Sequence, residues 1–310
     1  MSAVDLTQTS RETIQKGSSS FAAAAALFDP QTRADAEMLY AWCRHCDDVI
    51  DGQALGHGMA TPDAADAAAR LGALYAKTRA ALAGEPMDDP EFAAFQRVAA
   101  RRHIPEAYAT QLIDGFAMDV SGRRYETLED TLDYCWHVAG VVGVMMALVM
   151  GVAADDLPTL RRAQDLGLAF QLTNISRDVM EDAANGRVYL PTTWLAEAGV
   201  PVEAIAAPEH RAAVFAVTRR LLDVAEPYYA SAVAGLAALP WRSAWAIAAA
   251  RGVYRQIGVE VTRRGERAWD ERVSTSTAAK LWLALAGGAM ATGSRFSGKA
   301  QPRPALWSKI

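Results

Sequence analysis

Leu157–Ala184 reads LPTLRRAQDLGLAFQLTNISRDVMEDAA. The segment has its one proline at the start and runs without a breaker to Asn185-Gly186, which is a helix stop. Within it Asn174, Asp178 and Asp182 recur every four residues and therefore share one helix face. Leu166, Leu168, Phe170, Leu172, Ile175 and Val179 surround that face, so the spacing predicts a long, largely buried helix with an acidic ridge. Like charges four apart cost roughly a few tenths of a kcal/mol per pair. Burying them unpaired costs roughly several kcal/mol more. A bound cation removes both penalties.

A second acidic segment has the same character. Tyr40–Asp51 reads YAWCRHCDDVID, with Asp47 and Asp51 one helical turn apart. Its helix is expected to open at Phe28-Asp29-Pro30 with Asp29 as N-cap, and to stop at Gly52. One aspartate-rich helix alone reads equally well as a solvated face. Two, each in apolar surroundings and each with an internal arginine (Arg44 and Arg177), point to a site. Arginine beside carboxylates suits an ion pair, and it equally suits phosphate oxygens, which it grips bidentately. Oxygen donors without His or Cys suit Mg2+, with Mn2+ as the alternative.

The remaining sequence extends the helical pattern. Further helices are expected over 63–83, from about 90 to His103, from Pro105 to about Ser121-Gly122, and over Leu128–Met150. Three more are expected over 208–236, 240–268 and 275–290. Val138–Ala154 carries no charge and lies at the lower limit for a membrane span, about 17–25 residues. Its glycines and amphipathic flanks favour a buried core helix. Gly17-Ser18-Ser19-Ser20-Phe21 reads as a flexible lead-in or as a source of phosphate-binding hydroxyls and amides. Cys43 and Cys46 lie within a helix with no second cysteine pair for zinc, and read as packing. The chain is expected to be all-α, with one domain over residues 1–292 and a basic, proline-containing, loose tail over 293–310.

Several functions are excluded by composition. A net charge of -5 over 310 residues leaves no basic face for nucleic acid. No GxGxxG follows a strand, so no NAD(P)H site is expected. No Glu-x-x-His pair supports a di-iron bundle. The first thirty residues lack an apolar signal core, so the expected compartment is the cytoplasm.

These segments resemble the squalene and phytoene synthase family. The resemblance rests on DDVID (Asp47–Asp51), QLTNISRDVMED (Gln171–Asp182), YCWHVAGVVG (Tyr134–Gly143) and NGRVYLP (Asn185–Pro191), and it covers essentially the whole chain. LYAWCRHCDDVID and AFQLTNISRD look most like the bacterial phytoene-forming branch. The resemblance implies a single-domain helical bundle of the isoprenoid-synthase type around a central apolar cavity, with the acidic motifs facing across its mouth.

By the same resemblance, Asp47, Asp51, Asn174, Asp178 and Asp182 would bind Mg2+. Ser18, Ser20, Arg44, Gln171, Arg177, Arg272 and Lys280 would contact diphosphates. Tyr40, Tyr134 and Tyr254 would line the reaction chamber, and Phe21, Tyr40 and Tyr254 would face the cations. The run from Val138 to Met150, with Leu168 and Phe170, would wall a tunnel.

The implied reaction joins two geranylgeranyl diphosphates through prephytoene diphosphate to phytoene, in carotenoid biosynthesis. The alternatives are a squalene or dehydrosqualene synthase using farnesyl diphosphate, or a non-catalytic assembly protein of the same fold. Ala22–Ala26, where relatives using shorter chains often carry a bulky residue, is expected to leave room for a 20-carbon chain. Other expected partners are the inner face of the membrane, contacted peripherally through Phe296 and Trp307 of the tail, and other carotenoid-pathway enzymes.

Overall fold

The computed structural model describes residues 3–17, 19–52, 64–296 and 302–310, with backbone alone at 3–5, 19–20 and 64–65. The helices are α1 (Ala3–Gly17), α2 (Ser19–Ala25), α3 (Pro30–Asp51), α4 (Ala64–Ala83), α5 (Pro90–Arg102) and α6 (Glu106–Val120). They continue as α7 (Leu128–Cys135), α8 (Val141–Val149), α9 (Leu157–Ala184), α10 (Thr192–Glu197), α11 (Arg211–Val233), α12 (Trp241–Arg264) and α13 (Thr277–Gly293). No strand occurs among the described residues. The protein is all-α.

Local signals set the borders of the two acidic helices. The Asp29 carboxylate accepts from the backbone N–H groups of Gln31 and Thr32, each at 3.1 Å. Pro30 occupies the first turn, and Gly52 closes α3 in the left-handed region at φ 61°. Asp156 caps α9 by accepting from Thr159 N at 3.2 Å. The apolar Leu128–Met150 segment is less regular than expected. Trp136–Gly140 forms a π-helical turn between α7 and α8, the type of irregularity often found beside functional sites.

α9 runs through the middle of the molecule, packed by α8, the π-turn, α11 and α12, while α13 lies outside α12. Its crossing with α8 is unusually close. A Cβ on Gly143 would stand 2.5 Å from the Ala163 carbonyl oxygen, and one on Gly167 would collide with the Ala139 carbonyl. Glycine at both positions brings the two backbones together. One hydrophobic cluster spans the helices, with a satellite of Leu222, Ile257, Val261, Ala268 and Val273. The segment Leu128–Val149 is apolar and long enough to cross a membrane by composition, but 72% of the relevant window is buried inside the protein.

One expectation fails, and one helix had no forecast in the sequence. α1 was not foreseen, because only Leu6 and Ile14 anchor its buried face, with Ser10 between them. The expected loose tail is docked at its end, and α13 already includes Gly293. Arg303 donates to both oxygens of Asp165, at 2.7 and 2.9 Å, and Lys309 donates to Asp133 at 2.7 Å. Leu306, Trp307 and Ile310 pack against the core, so Trp307 faces inward while Phe296 stays exposed. A fully buried carboxylate, Asp165, needs such a partner, and the tail supplies it.

Candidate active site

The C-terminal halves of α3 and α9 bring their carboxylates to one end of the bundle, and arginines lie between them. Arg44 meets Asp47 at 3.0 Å and Asp48 at 2.6 Å on α3. Arg177 grips Asp178 through Nε at 2.8 Å and a terminal nitrogen at 2.5 Å. Arg272 reaches the same carboxylate at 3.4 Å and Glu181 at 3.2 Å. Arg187, just beyond α9, crosses to Asp51 at 2.5 Å and so ties the two motifs together. Arg44 keeps its Nε buried without an acceptor, a spare donor for an anion.

Asp119 on α6 completes the acidic wall. It accepts from the Tyr189 hydroxyl at 2.8 Å and the Tyr134 hydroxyl at 3.1 Å, whose rings stack at 4.5 Å. Burial pushes its carboxyl up to about 6, against the pull of Arg187 and the two tyrosines, and Asp51 adds to the rise. Burial likewise raises Asp47 to about 7, opposed by Arg44 and helped by Asp51 and Asp48. Asp47 is crowded by protein yet keeps 39% of its side chain accessible. Asp182 rises to about 8 through burial, then through Asp178. Burial outweighs the neighbouring arginines at all three carboxylates.

The donor set tests the expected metal. Among the described residues, no three His, Cys, Asp or Glu side chains converge closely enough to form a metal cage. Asp47, Asp51 and Asp178 lie on arginines instead. The donors are nevertheless all oxygen, and burial makes two of them, Asp47 and Asp182, hold their protons tightly. That fits a hard cation held by few carboxylates and completed by water and substrate phosphate, as Mg2+ is. Asn174 donates to the Gln171 side-chain oxygen at 3.3 Å, which places both polar groups where the acidic ridge meets an apolar cavity.

That cavity, of about 250 Å³, is the expected tunnel. Phe21, Tyr254, Gln171 and Asn174 line one end, and Val138, Gly143, Met146, Leu166 and Phe170 line its length. Tyr254 stacks on Phe170 at 4.2 Å, and Tyr40 on Phe21 at 5.2 Å. Burial pushes the Tyr40 phenol up to about 12, so it stays a neutral donor.

The structure distributes the expected residues unevenly. Ser18 lies outside the described residues, as does the Ser20 side chain. Tyr134 is buried beneath Asp119 and is absent from the tunnel lining described above. Lys280 lies in the first turn of α13, a helix layer outside the tunnel wall. Leu168 is fully buried in the core. Asp119, Arg187 and Tyr189 were not singled out by role. Arg187 and Tyr189 stand in the NGRVYLP run already quoted. Asp119 had no signal, because Asp114 is five residues away and off its face.

Comparison with known proteins agrees with this architecture. The squalene/phytoene synthase family model matches residues 14–279. A 15-cis-phytoene synthase of Pantoea ananas is 56% identical over 299 residues, covering 96% of each chain. One from Paracoccus sp. is 54% identical over 307 residues, covering 98% of each. Among solved structures, a dehydrosqualene synthase with bound ligand superposes with a TM-score of 0.82 at 24% identity, over 93% of this chain and 97% of that one. A squalene synthase from Alicyclobacillus acidocaldarius gives 0.70 at 25% identity, over 85% and 97%. With a family match over most of its length and relatives above half identity end to end, the chain belongs to the squalene/phytoene synthase family.

Proposed function

We infer that the chain is a prenyltransferase that condenses two geranylgeranyl diphosphates head to head, through prephytoene diphosphate, to phytoene. The observation that carries this reading is the apolar tunnel that ends beside a cluster of carboxylates interleaved with arginines. Diphosphate heads belong at the charged end and prenyl tails in the tunnel. Mg2+ would be held by Asp47, Asp51, Asn174, Asp178 and Asp182, and when bound it supplies positive charge to the departing diphosphate.

The chain's own groups do the rest. Arg44, Arg177 and Arg272 can turn from carboxylates to phosphate oxygens, since a guanidinium serves both. Phe21, Tyr40 and Tyr254 present aromatic faces that stabilise a carbocation. The apolar walls keep out water that would trap it. Ala24 and Ala25 line the tunnel, which supports the reading that the alanine run makes room for a 20-carbon tail. No reductant is needed for this product, so NAD(P)H is not part of the reading.

The reading also places the protein at the cytoplasmic face of a membrane, where its amphiphilic substrate and insoluble product reside. α13 supports this contact. It exposes Leu281, Trp282 and Leu285 on one face, with exposed Phe296 beyond its end. Liposome co-sedimentation of wild type and Trp282→Glu tests this, and equal binding removes α13 from the contact.

The deciding experiment is incubation of purified protein with geranylgeranyl diphosphate and Mg2+, with and without chelator, followed by hydrocarbon analysis. Chelator-sensitive phytoene without added nicotinamide is the expected result. Product from farnesyl diphosphate alone would replace the substrate, and no hydrocarbon from either would overturn the reaction.

A further inference from the structure

Arg162 is the one charged side chain among the described residues that line the tunnel. It stands twelve residues before Asn174 on α9, about 18 Å along the axis at 1.5 Å per residue. That distance is about the reach of an extended chain of four isoprene units. Phe28, Met150, Leu236 and Leu239, all buried, line the same cavity. A buried guanidinium among apolar side chains demands partners.

Those partners form a relay. Arg162 donates to the Ser231 carbonyl at 2.8 Å and to the Ser231 hydroxyl at 3.2 Å. The Ser231 hydroxyl donates to Asp165 at 2.5 Å, and Asp165 is gripped by Arg303 from the C-terminal segment. Gly235 lets Arg162 lie close, since a Cβ there would stand 3.1 Å from the Arg162 Cβ.

We propose that Arg162, fixed by Ser231, Asp165 and Arg303, is the end stop that limits the tunnel to a 20-carbon prenyl chain. The proposal rests on the prenyl-diphosphate reading of the site. A longer tail must displace the guanidinium from the Ser231 carbonyl and hydroxyl, hydrogen bonds that an apolar group cannot replace. An apolar floor could instead repack, since side chains such as methionine are flexible, and would grade chain lengths softly. A hydrogen-bonded cation makes the limit sharp. Arg162 is thus a specificity-determining residue, remote from the reacting atoms.

The test uses the full chain with Mg2+ and inert thiodiphosphate analogues carrying 15, 20 and 25 carbons, with Kd measured by calorimetry. Wild type is expected to bind the 20-carbon analogue well ahead of the 25-carbon one. Arg162→Ala should narrow that 25-to-20 ratio about tenfold, the scale of discrimination for small changes in an apolar pocket. Arg162→Met, which keeps most of the volume, should narrow it in the same direction. Arg162→Lys, which keeps a buried cation, should stay near wild type.

An unchanged ratio in a cooperatively folded Arg162→Ala or Arg162→Met protein overturns the end stop. If Arg162→Ala fails to fold, Arg162→Met decides alone. Phytoene assays on the same wild-type preparation keep the two ideas apart. No phytoene beside an intact length preference that Arg162 variants relax overturns the reaction and upholds the end stop.

Discussion

Asp182 and Asp47 hold their protons far more tightly in the folded chain than in an unfolded one, about 8 and about 7 against an ordinary 3.8. A carboxyl raised in this way adds stability at low pH, and that contribution is lost as pH rises from about 4 through about 8. A divalent cation competes with those protons for the same oxygens. Mg2+ is therefore expected to raise the melting temperature more at pH 8.5 than at pH 6, measured by thermal unfolding. An equal or larger gain at pH 6 would remove these carboxylates from the cation site. At the same scale, Asp47→Ala and Asp178→Ala should each lower phytoene turnover by at least about 100-fold, the loss typical of one group that stabilises transition-state charge. A variant within a few-fold of wild type would exclude that residue from the chemistry.

Among elements, the α8–α9 crossing is the most demanding. Gly143→Ala would set a methyl 2.5 Å from the Ala163 carbonyl oxygen, and both are backbone-fixed. Overpacking of this kind costs about 1–3 kcal/mol, so a lowered denaturation midpoint with unchanged m-value is expected. A neutral midpoint would mean that the helices part easily. Element borders were legible where the signal was local. Asp29, Pro30 and Gly52 delimit α3 within a few residues of where they stand. α1 and the π-turn were not legible, since α1 is helical through packing on α3, and nothing in WHVAG encodes an extra residue per turn.

For the whole molecule, the C-terminal segment changes the account of how the bundle is held. Its basic residues read as solvated because their partners, Asp165 and Asp133, are more than a hundred residues away in sequence. Asp119 carried no signal either, since its tyrosine and arginine neighbours come from other elements. Helical class and both acidic motifs were legible because periodicity and short motifs carry them. Arg303→Ala would strand Asp165, which is 0% exposed, and should cost about 3–5 kcal/mol, measured by chemical denaturation. A loss below 1 kcal/mol would show that Ser231 alone suffices.

The glycine crossing also bears on how such a sequence can drift. Gly143 and Gly167 sit on tunnel-lining helices, yet each faces a neighbouring backbone, leaving no side chain that could yield to a newcomer. Inheritance can therefore remodel the tunnel through side chains on either wall, while the spacing of the α8 and α9 backbones stays fixed. Saturation mutagenesis should find those two positions intolerant and Ala24, Ala246 and Ile247 permissive. The route by which one ancestral tunnel gives rise to different substrate lengths then runs through its lining side chains, Arg162 among them, and not through a shift of the α8–α9 crossing.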